Sequence, residues 1–90
     1  MAGADGVTQY RPLSKGCAGE EGTLFSGGDL LGGVEYTGSA QECCRRCSTK
    51  SDCFAWTYFD SGFCYLKAGS GWTRESCPSE ELCISGEVDR

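Results

Sequence analysis

The chemistry open to this chain is almost entirely that of sulfur. Eight of its 90 residues are cysteine and none is histidine. Five of the eight fall between Cys43 and Cys64, beginning with Cys43-Cys44-Arg45-Arg46-Cys47 and followed by Cys53 and Cys64. Cys44-x2-Cys47 has the spacing of a dithiol redox motif, but that motif follows a strand in a βαβ setting, and here it falls inside a helical pattern. The same pair is half of a zinc knuckle, yet Cys53, Cys64, Cys77 and Cys83 are too widely spaced to supply a C-x2-C partner. An even count in so short a chain instead marks a disulfide framework made in an oxidising compartment. Without histidine, neither a Ser-His-Asp nor a Cys-His nucleophile can be assembled. The carboxylate pairs Glu20-Glu21 and Glu80-Glu81 lack the pattern of a calcium loop and read as solvated surface. The expectation is therefore no catalytic residue, no metal and no cofactor.

Size and charge narrow the class further. Ninety residues make one domain, with a core too small to be comfortable without staples. Fourteen glycines against two prolines indicate tight turns rather than a disordered linker. The net charge of −5, from 8 basic and 13 acidic residues, would on average repel a phosphate backbone, so no nucleic acid is expected. No run of about 18 apolar residues is present, so no membrane insertion is expected. The start, Met1-Ala2-Gly3-Ala4-Asp5-Gly6, has neither a basic segment nor an apolar one and is not a signal peptide. A secreted-type cysteine pattern without such a signal suggests a module excised from a longer protein. The expected division is a flexible linker over 1–12, a folded domain over 13–86 and a second linker over 87–90.

The elements that must position the cysteines can be placed from local signals. Thr23-Leu24-Phe25 and Val34-Glu35-Tyr36-Thr37 read as short strands separated by Gly turns. Ser39-Ala40-Gln41-Glu42 fits a capping box and predicts a helix from Ala40 to near Thr49, with Cys43 and Cys47 on one face. Such a short helix has to be held by packing and cross-links. Cys53-Phe54-Ala55-Trp56-Thr57-Tyr58-Phe59 alternates as a strand, with Phe54, Trp56 and Tyr58 on one side and Ala55, Thr57 and Phe59 on the other. Asp60-Ser61-Gly62 makes a hairpin loop, and Phe63 to Lys67 returns as the partner strand. Ala68 to Gly71 reads as a loop, Trp72 to Cys83 as irregular, and Cys83-Ile84-Ser85 as a final edge strand.

These residues resemble the apple domain of the PAN family. The resemblance is carried by Cys43-x3-Cys47-x5-Cys53, by Phe54-Ala55-Trp56-Thr57-Tyr58 and by Cys64-Tyr65-Leu66-Lys67, flanked by Phe25-Ser26-Gly27-Gly28-Asp29-Leu30 and Cys83-Ile84-Ser85-Gly86. It covers roughly Cys17 to Gly86. Cys44 and Cys77 exceed the six cysteines usual in apple domains. Within the family, the Gly-rich, eight-cysteine character is most similar to the apple repeats of micronemal adhesins from apicomplexan parasites such as Eimeria. The resemblance implies a small disulfide-rich α+β module, an antiparallel sheet cradling one short helix, without catalytic activity. It implies the pairs Cys43–Cys64, Cys47–Cys53 and Cys17–Cys83, which leaves Cys44–Cys77 as the fourth; the sequence by itself leaves on the order of a hundred pairings open.

The function the resemblance implies is adhesion. The parent would be a secreted multi-domain protein, held in a secretory organelle such as the microneme before release. Its partner would be a host-cell surface glycan or protein, or another microneme-type protein. Two rivals stand beside this reading: an assembly or spacer module bridging to another chain of the parent complex, and a cysteine-rich protease inhibitor. The hairpin loop Asp60-Ser61-Gly62 is too short to fill a protease cleft. Candidate ligand-binding residues are Arg45, Arg46 and Lys50 on the helix, Lys67 at the end of the hairpin, and Trp72. For Arg45, Arg46 and Lys50 the competing expectation is a solvated helix face with favourable charge near its C-terminus. Trp56, Tyr58, Phe54 and Phe63 are expected chiefly as core, whereas Phe59, Tyr65 and Trp72 face turns or alternate away from the helix.

Overall fold

Alternation along the strands and capping of the helix together produce a sheet with one helix across it. The computed structural model of the chain describes residues 9–12, as backbone, and residues 17–88. The strands are β1 (Gln9–Pro12), β2 (Ala18–Glu21), β3 (Thr23–Tyr36), β4 (Ala55–Phe59), β5 (Phe63–Ser76) and β6 (Cys83–Glu87), and the helix is α1 (Ala40–Ser48). Among the described residues they form one antiparallel sheet in the order β1-β2-β6-β4-β5-β3. The helix begins where the sequence says it should. Ser39 is extended (φ −159°, ψ 153°), and its hydroxyl accepts from the Glu42 N–H at 3.1 Å, satisfying one of the first-turn donors.

The helix is fastened to its surroundings by three disulfides. Cys43 bonds Cys64 in β5, Cys47 bonds Cys53 in the loop before β4, and Cys44 bonds Cys17 at the entry to β2. Cys43 and Cys44 are adjacent and so lie about 100° apart around the helix, which lets them reach different strands. The fourth bridge, Cys77–Cys83, is local and closes the loop between β5 and β6. Two expected pairs, Cys17–Cys83 and Cys44–Cys77, are thus corrected. The reason lies in the pleat, because successive strand residues point to opposite faces. In β6, Ile84 packs in the helix-side core, so Cys83 and Ser85 point to the other side of the sheet. Cys83 therefore cannot meet Cys17, which joins the helix-side cluster, but it lies beside Cys77, with Cα atoms 5.8 Å apart.

The main core lies between α1 and the sheet. Trp56, Leu66 and Ile84 are buried there against Ala40 and the sulfur atoms of the helix, with Tyr58, Leu30 and Val88 packed at its border. Room for the Trp56 indole comes from two missing side chains. A Cβ on Gly86 would stand 2.6 Å from the six-membered ring, and one on Gly19 would stand 3.1 Å from it and 2.6 Å from Ile84.

A second, smaller core closes part of the opposite face. After β2 the chain turns at Gly22, whose φ of +83° suits glycine, and β3 crosses over that face. Four groups then form a chain of hydrogen bonds that starts and ends on the β3 backbone. The Phe25 N–H donates to Thr57 Oγ1 (3.1 Å), Thr57 Oγ1 meets Ser85 Oγ (2.6 Å), and Ser85 Oγ donates to the Thr23 carbonyl (2.7 Å). With the Ser85 proton committed to Thr23, the Thr57 hydroxyl is the donor to Ser85. Above this relay the Phe25 ring is stacked by Trp72, with centroids 4.3 Å apart, and flanked by the Arg74 guanidinium at 5.2 Å.

Element boundaries differ from expectation at several points. The two short strands expected around Thr23–Thr37 are one long, irregular β3, with register shifts around Gly28 and between Asp29 and Val34. The stretch Ala68 to Ser76, expected as a loop and an irregular segment, continues β5, and its Trp72–Ser76 part pairs with Thr23–Gly27 of β3. Gln9–Pro12, expected as linker, is the edge strand β1. Glu87 closes β6, and Val88 donates its N–H to the Phe54 carbonyl at 2.9 Å, so neither is linker. The remaining expected linker residues, 1–8 and 89–90, lie outside the described residues, as do residues 13–16 at the start of the expected domain.

Two measurements check this architecture. Tryptic cleavage after Arg74 yields a 75–90 peptide whose only cysteines are Cys77 and Cys83. It should be released without reduction, carrying its own internal bridge; retention on another peptide until reduction would refute the pairing. In thermal or denaturant melts, Trp56→Ala should cost about 3–5 kcal/mol as a large buried aromatic. Thr57→Val, which leaves the buried Phe25 N–H without its acceptor and takes a donor from Ser85 Oγ, should cost about 1–3 kcal/mol.

Candidate functional site

All eight cysteines are bonded, and a disulfide sulfur is neither a thiolate nucleophile nor a metal-binding thiolate. What the fold offers a partner is therefore its surface, and that surface has three distinct regions.

The first is the outer side of α1, where the sequence placed Arg45, Arg46 and Lys50. All three are exposed, but the two arginines are engaged within the domain. Arg45 Nη1 donates to Glu42 Oε1 at 2.8 Å, and Arg46 Nε donates to Glu42 Oε2 at 2.9 Å. Arg46 also reaches Glu35 on β3, tying the helix to the sheet. The Arg46 hydrogen bond, with the nearby Arg45 charge, holds the Glu42 carboxyl below the usual glutamate range against the opposing effect of desolvation. The same hydrogen bond, donated to Glu42, and the nearby Glu35 charge raise the Arg46 guanidinium above its ordinary value. Because the fold lowers the pKa of Glu42, its contribution is present above the ordinary glutamate value and is lost as the pH falls through the lowered one. Exposed pairs of this kind add little stability, but they leave this side of the helix close to charge-balanced.

Lys67 and Trp72 are placed differently from expectation. Lys67, expected as an accessible cation, is only 3% exposed. Its ammonium donates to Asp29 at 2.5 Å and lies 5.6 Å from the Tyr65 ring centroid. The cause is β3, which pairs Asp29 opposite Lys67 and so supplies the counter-charge that a buried ammonium needs. Trp72 is half-buried: one face lies on Phe25, and its Nε1 donates to the Ala68 carbonyl at 2.9 Å. It serves first as a lid on the smaller core.

The second region is the uncovered half of the sheet face opposite α1. Pairing of Val34 with Tyr65 and of Tyr36 with Phe63 puts these four side chains on one face, next to Phe59. The Tyr36–Phe63 and Phe59–Tyr65 rings make edge contacts, each at 5.5 Å between centroids. Tyr36 is 67% exposed, Val34 50% and Phe63 44%. Alternation along the hairpin already turned Phe59 and Tyr65 away from the helix. Val34 and Tyr36 were missed because their position depends on the register of β3 against β5, a long-range pairing with no local signal.

The third region is a cleft of about 250 Å³ on the helix side of the sheet, lined by Glu21, Gly22, Tyr58, Asp60, Leu82, Cys83 and Ile84. A shallower hollow formed by the loop from Pro78 to Leu82 adjoins it.

A family model described as PAN domain matches residues 23–69, just over half of the chain. The matched span holds β3, α1, β4 and the first part of β5, together with the Cys43–Cys64 and Cys47–Cys53 bridges. No curated protein and no solved structure gives a significant match. PAN domains are generally extracellular, non-catalytic interaction modules, in keeping with four disulfides and a surface of exposed aromatic rings. The chain belongs to the PAN domain family.

Proposed function

We propose that this module is an adhesive unit of a larger secreted protein, binding a host-surface glycoconjugate or protein during cell attachment. The observation that carries the reading is the open aromatic half-face of Val34, Tyr36, Phe59, Phe63 and Tyr65 on a sheet locked by disulfides. Contiguous exposed apolar surface on a small soluble domain marks an interaction site. Tyrosine and phenylalanine there offer large contact areas with few rotatable bonds. Either a sugar ring or a protein side chain can lie flat on such a surface. The cross-linked scaffold holds the rings in place before the partner arrives, so little ordering cost is met on binding. The Gly-rich, eight-cysteine character, which resembles micronemal apple repeats, favours a host-cell surface as the partner and the microneme as the store before release.

The arginines of α1 have a secondary place in this reading, because Glu42 and Glu35 already answer them. The test is cell-binding and glycan-array measurement on two variants, each with one-dimensional NMR to establish folding. Tyr36→Ser with Phe63→Ser should weaken binding about tenfold or more, as expected when anchors at an interface centre are lost. The triple change of Arg45, Arg46 and Lys50 to Ser should have the smaller effect. A folded aromatic variant that binds as the parent does would remove this face from consideration, and a larger loss in the triple variant would move the site to the helix.

A further inference from the structure

β3 is the last strand of the sheet beyond β5, and its outer margin meets no further strand among the described residues. Which of its backbone groups point outward follows from the ladder. In an antiparallel pair, hydrogen-bonded and non-hydrogen-bonded residue pairs alternate. The Thr37 N–H donates to the Gly62 carbonyl at 2.9 Å, and the register then runs Tyr36–Phe63, Glu35–Cys64, Val34–Tyr65. Thr37 and Glu35 thus bond toward β5, while the N–H and C=O of Val34 and Tyr36 are aimed away from the sheet. The side chains of the same two residues stand on the aromatic face and are exposed. Proteins commonly blunt such an edge with Lys or Pro. The run from Gly33 to Gly38 holds neither, and its one charge, Glu35, is answered by Arg46.

We infer that this edge pairs with the same edge of a second copy of the chain, in a two-fold antiparallel joint centred on Glu35. The register follows from the outward groups. With Glu35 facing Glu35, Val34 of each copy stands opposite Tyr36 of the other, and both pairs exchange their N–H and C=O. A joint centred on Val34 or on Tyr36 leaves only one matched pair. On the aromatic side each Val34 then lies against the Tyr36 ring of the other copy, a favourable combination of β-branched and aromatic side chains. On the other side the Glu35 carboxylates meet across the axis, which would be unfavourable by itself. Each brings the Arg46 guanidinium bonded to it, so anions and cations alternate around the axis, and a guanidinium has donors enough for both carboxylates. A second copy fits better than an unrelated strand because one surface supplies both halves of each match, Val34 with Tyr36 and Glu35 with Arg46. The helix packs on β4 and β5, so its bulk stands back from the joint. An edge this short buries less than the roughly 1,000 Å² of a lasting interface, so the dimer is weak and reversible. It joins two aromatic half-faces into one continuous surface, and it does not rest on what that surface binds.

The experiment uses the 90-residue chain alone. Sedimentation equilibrium should show a monomer–dimer equilibrium between micromolar and millimolar protein. Over the same range, amide exchange measured by NMR should slow several-fold at Val34 and Tyr36 and stay unchanged in β4. Val34→Pro removes an outward N–H without touching the bonds to β5, and should weaken the dimer about tenfold or more. Glu35→Lys keeps every backbone group but leaves only cations around the axis, and should weaken it about as much. One-dimensional NMR establishes folding of both variants, and the Glu35→Lys result decides if Val34→Pro does not fold. A chain that stays monomeric at millimolar concentration would overturn the inference. So would a folded Glu35→Lys variant that dimerises as the parent does, or protection gained at residues other than Val34 and Tyr36. Cell and glycan binding are not among the readouts, so the outcome is independent of the adhesive reading.

Discussion

Everything in this domain depends on nine helical residues being tied to the rest of the chain at three points. A helix of that length is marginal by itself in water, and this one exposes Arg45, Arg46, Ser48 and the end of its cap to solvent. Cys43, Cys44 and Cys47 turn that weakness into a hub, because each reaches a different part of the chain. In the chain-entropy picture, closing the loop from Cys17 to Cys44 restricts the unfolded chain by about 3.5 kcal/mol, and the six-residue separation from Cys47 to Cys53 by about 2 kcal/mol. Trp56, Leu66 and Ile84 then need only fill the space between a fixed helix and a fixed sheet.

The two faces of the sheet have different tasks. On the helix side, burial is apolar and covalent. On the other side, one half is closed by a ribbon of β3 and β5, pinned by the relay through Thr57 and Ser85 and capped by Phe25 and Trp72. The remaining half stays open and aromatic. Lys67 marks the boundary, lying between Asp29 and the Tyr65 ring. Arg46, Lys67 and Arg74 thus link elements of the module to one another, while the rings of the open half stay uncovered.

What was legible in the sequence was local. The Ser39 cap, the shared face of Cys43 and Cys47, and the hairpin around Asp60-Ser61-Gly62 each depend on residues close in the chain, and each is found in the structure. The face of Trp56 and Tyr58 was equally readable from alternation. What escaped was set by pairing over distance. The burial of Lys67 depends on Asp29, 38 residues away, and the Tyr36–Phe63 contact depends on the register of β3. The two displaced disulfides are instructive in a different way. In Cys83-Ile84-Ser85 the apolar residue is the one that must enter the core, so alternation alone would have turned Cys83 from the helix side. The pairing implied by the resemblance overrode that local cue.

The Cys77–Cys83 bridge has a consequence for how such modules can diversify. The other three bridges run through the helix, so altering any of them disturbs the whole packing arrangement. This one encloses only Pro78 to Leu82, and that segment meets the β4–β5 hairpin through just two hydrogen bonds, from the Asp60 N–H to the Leu82 carbonyl and from the Ser61 N–H to the Glu81 carboxylate. The segment is a cassette: its composition can be rewritten without repacking the interior. A parent protein carrying several copies of the scaffold could give each copy a different tip, with specificity changing from repeat to repeat while the folding problem stays the same.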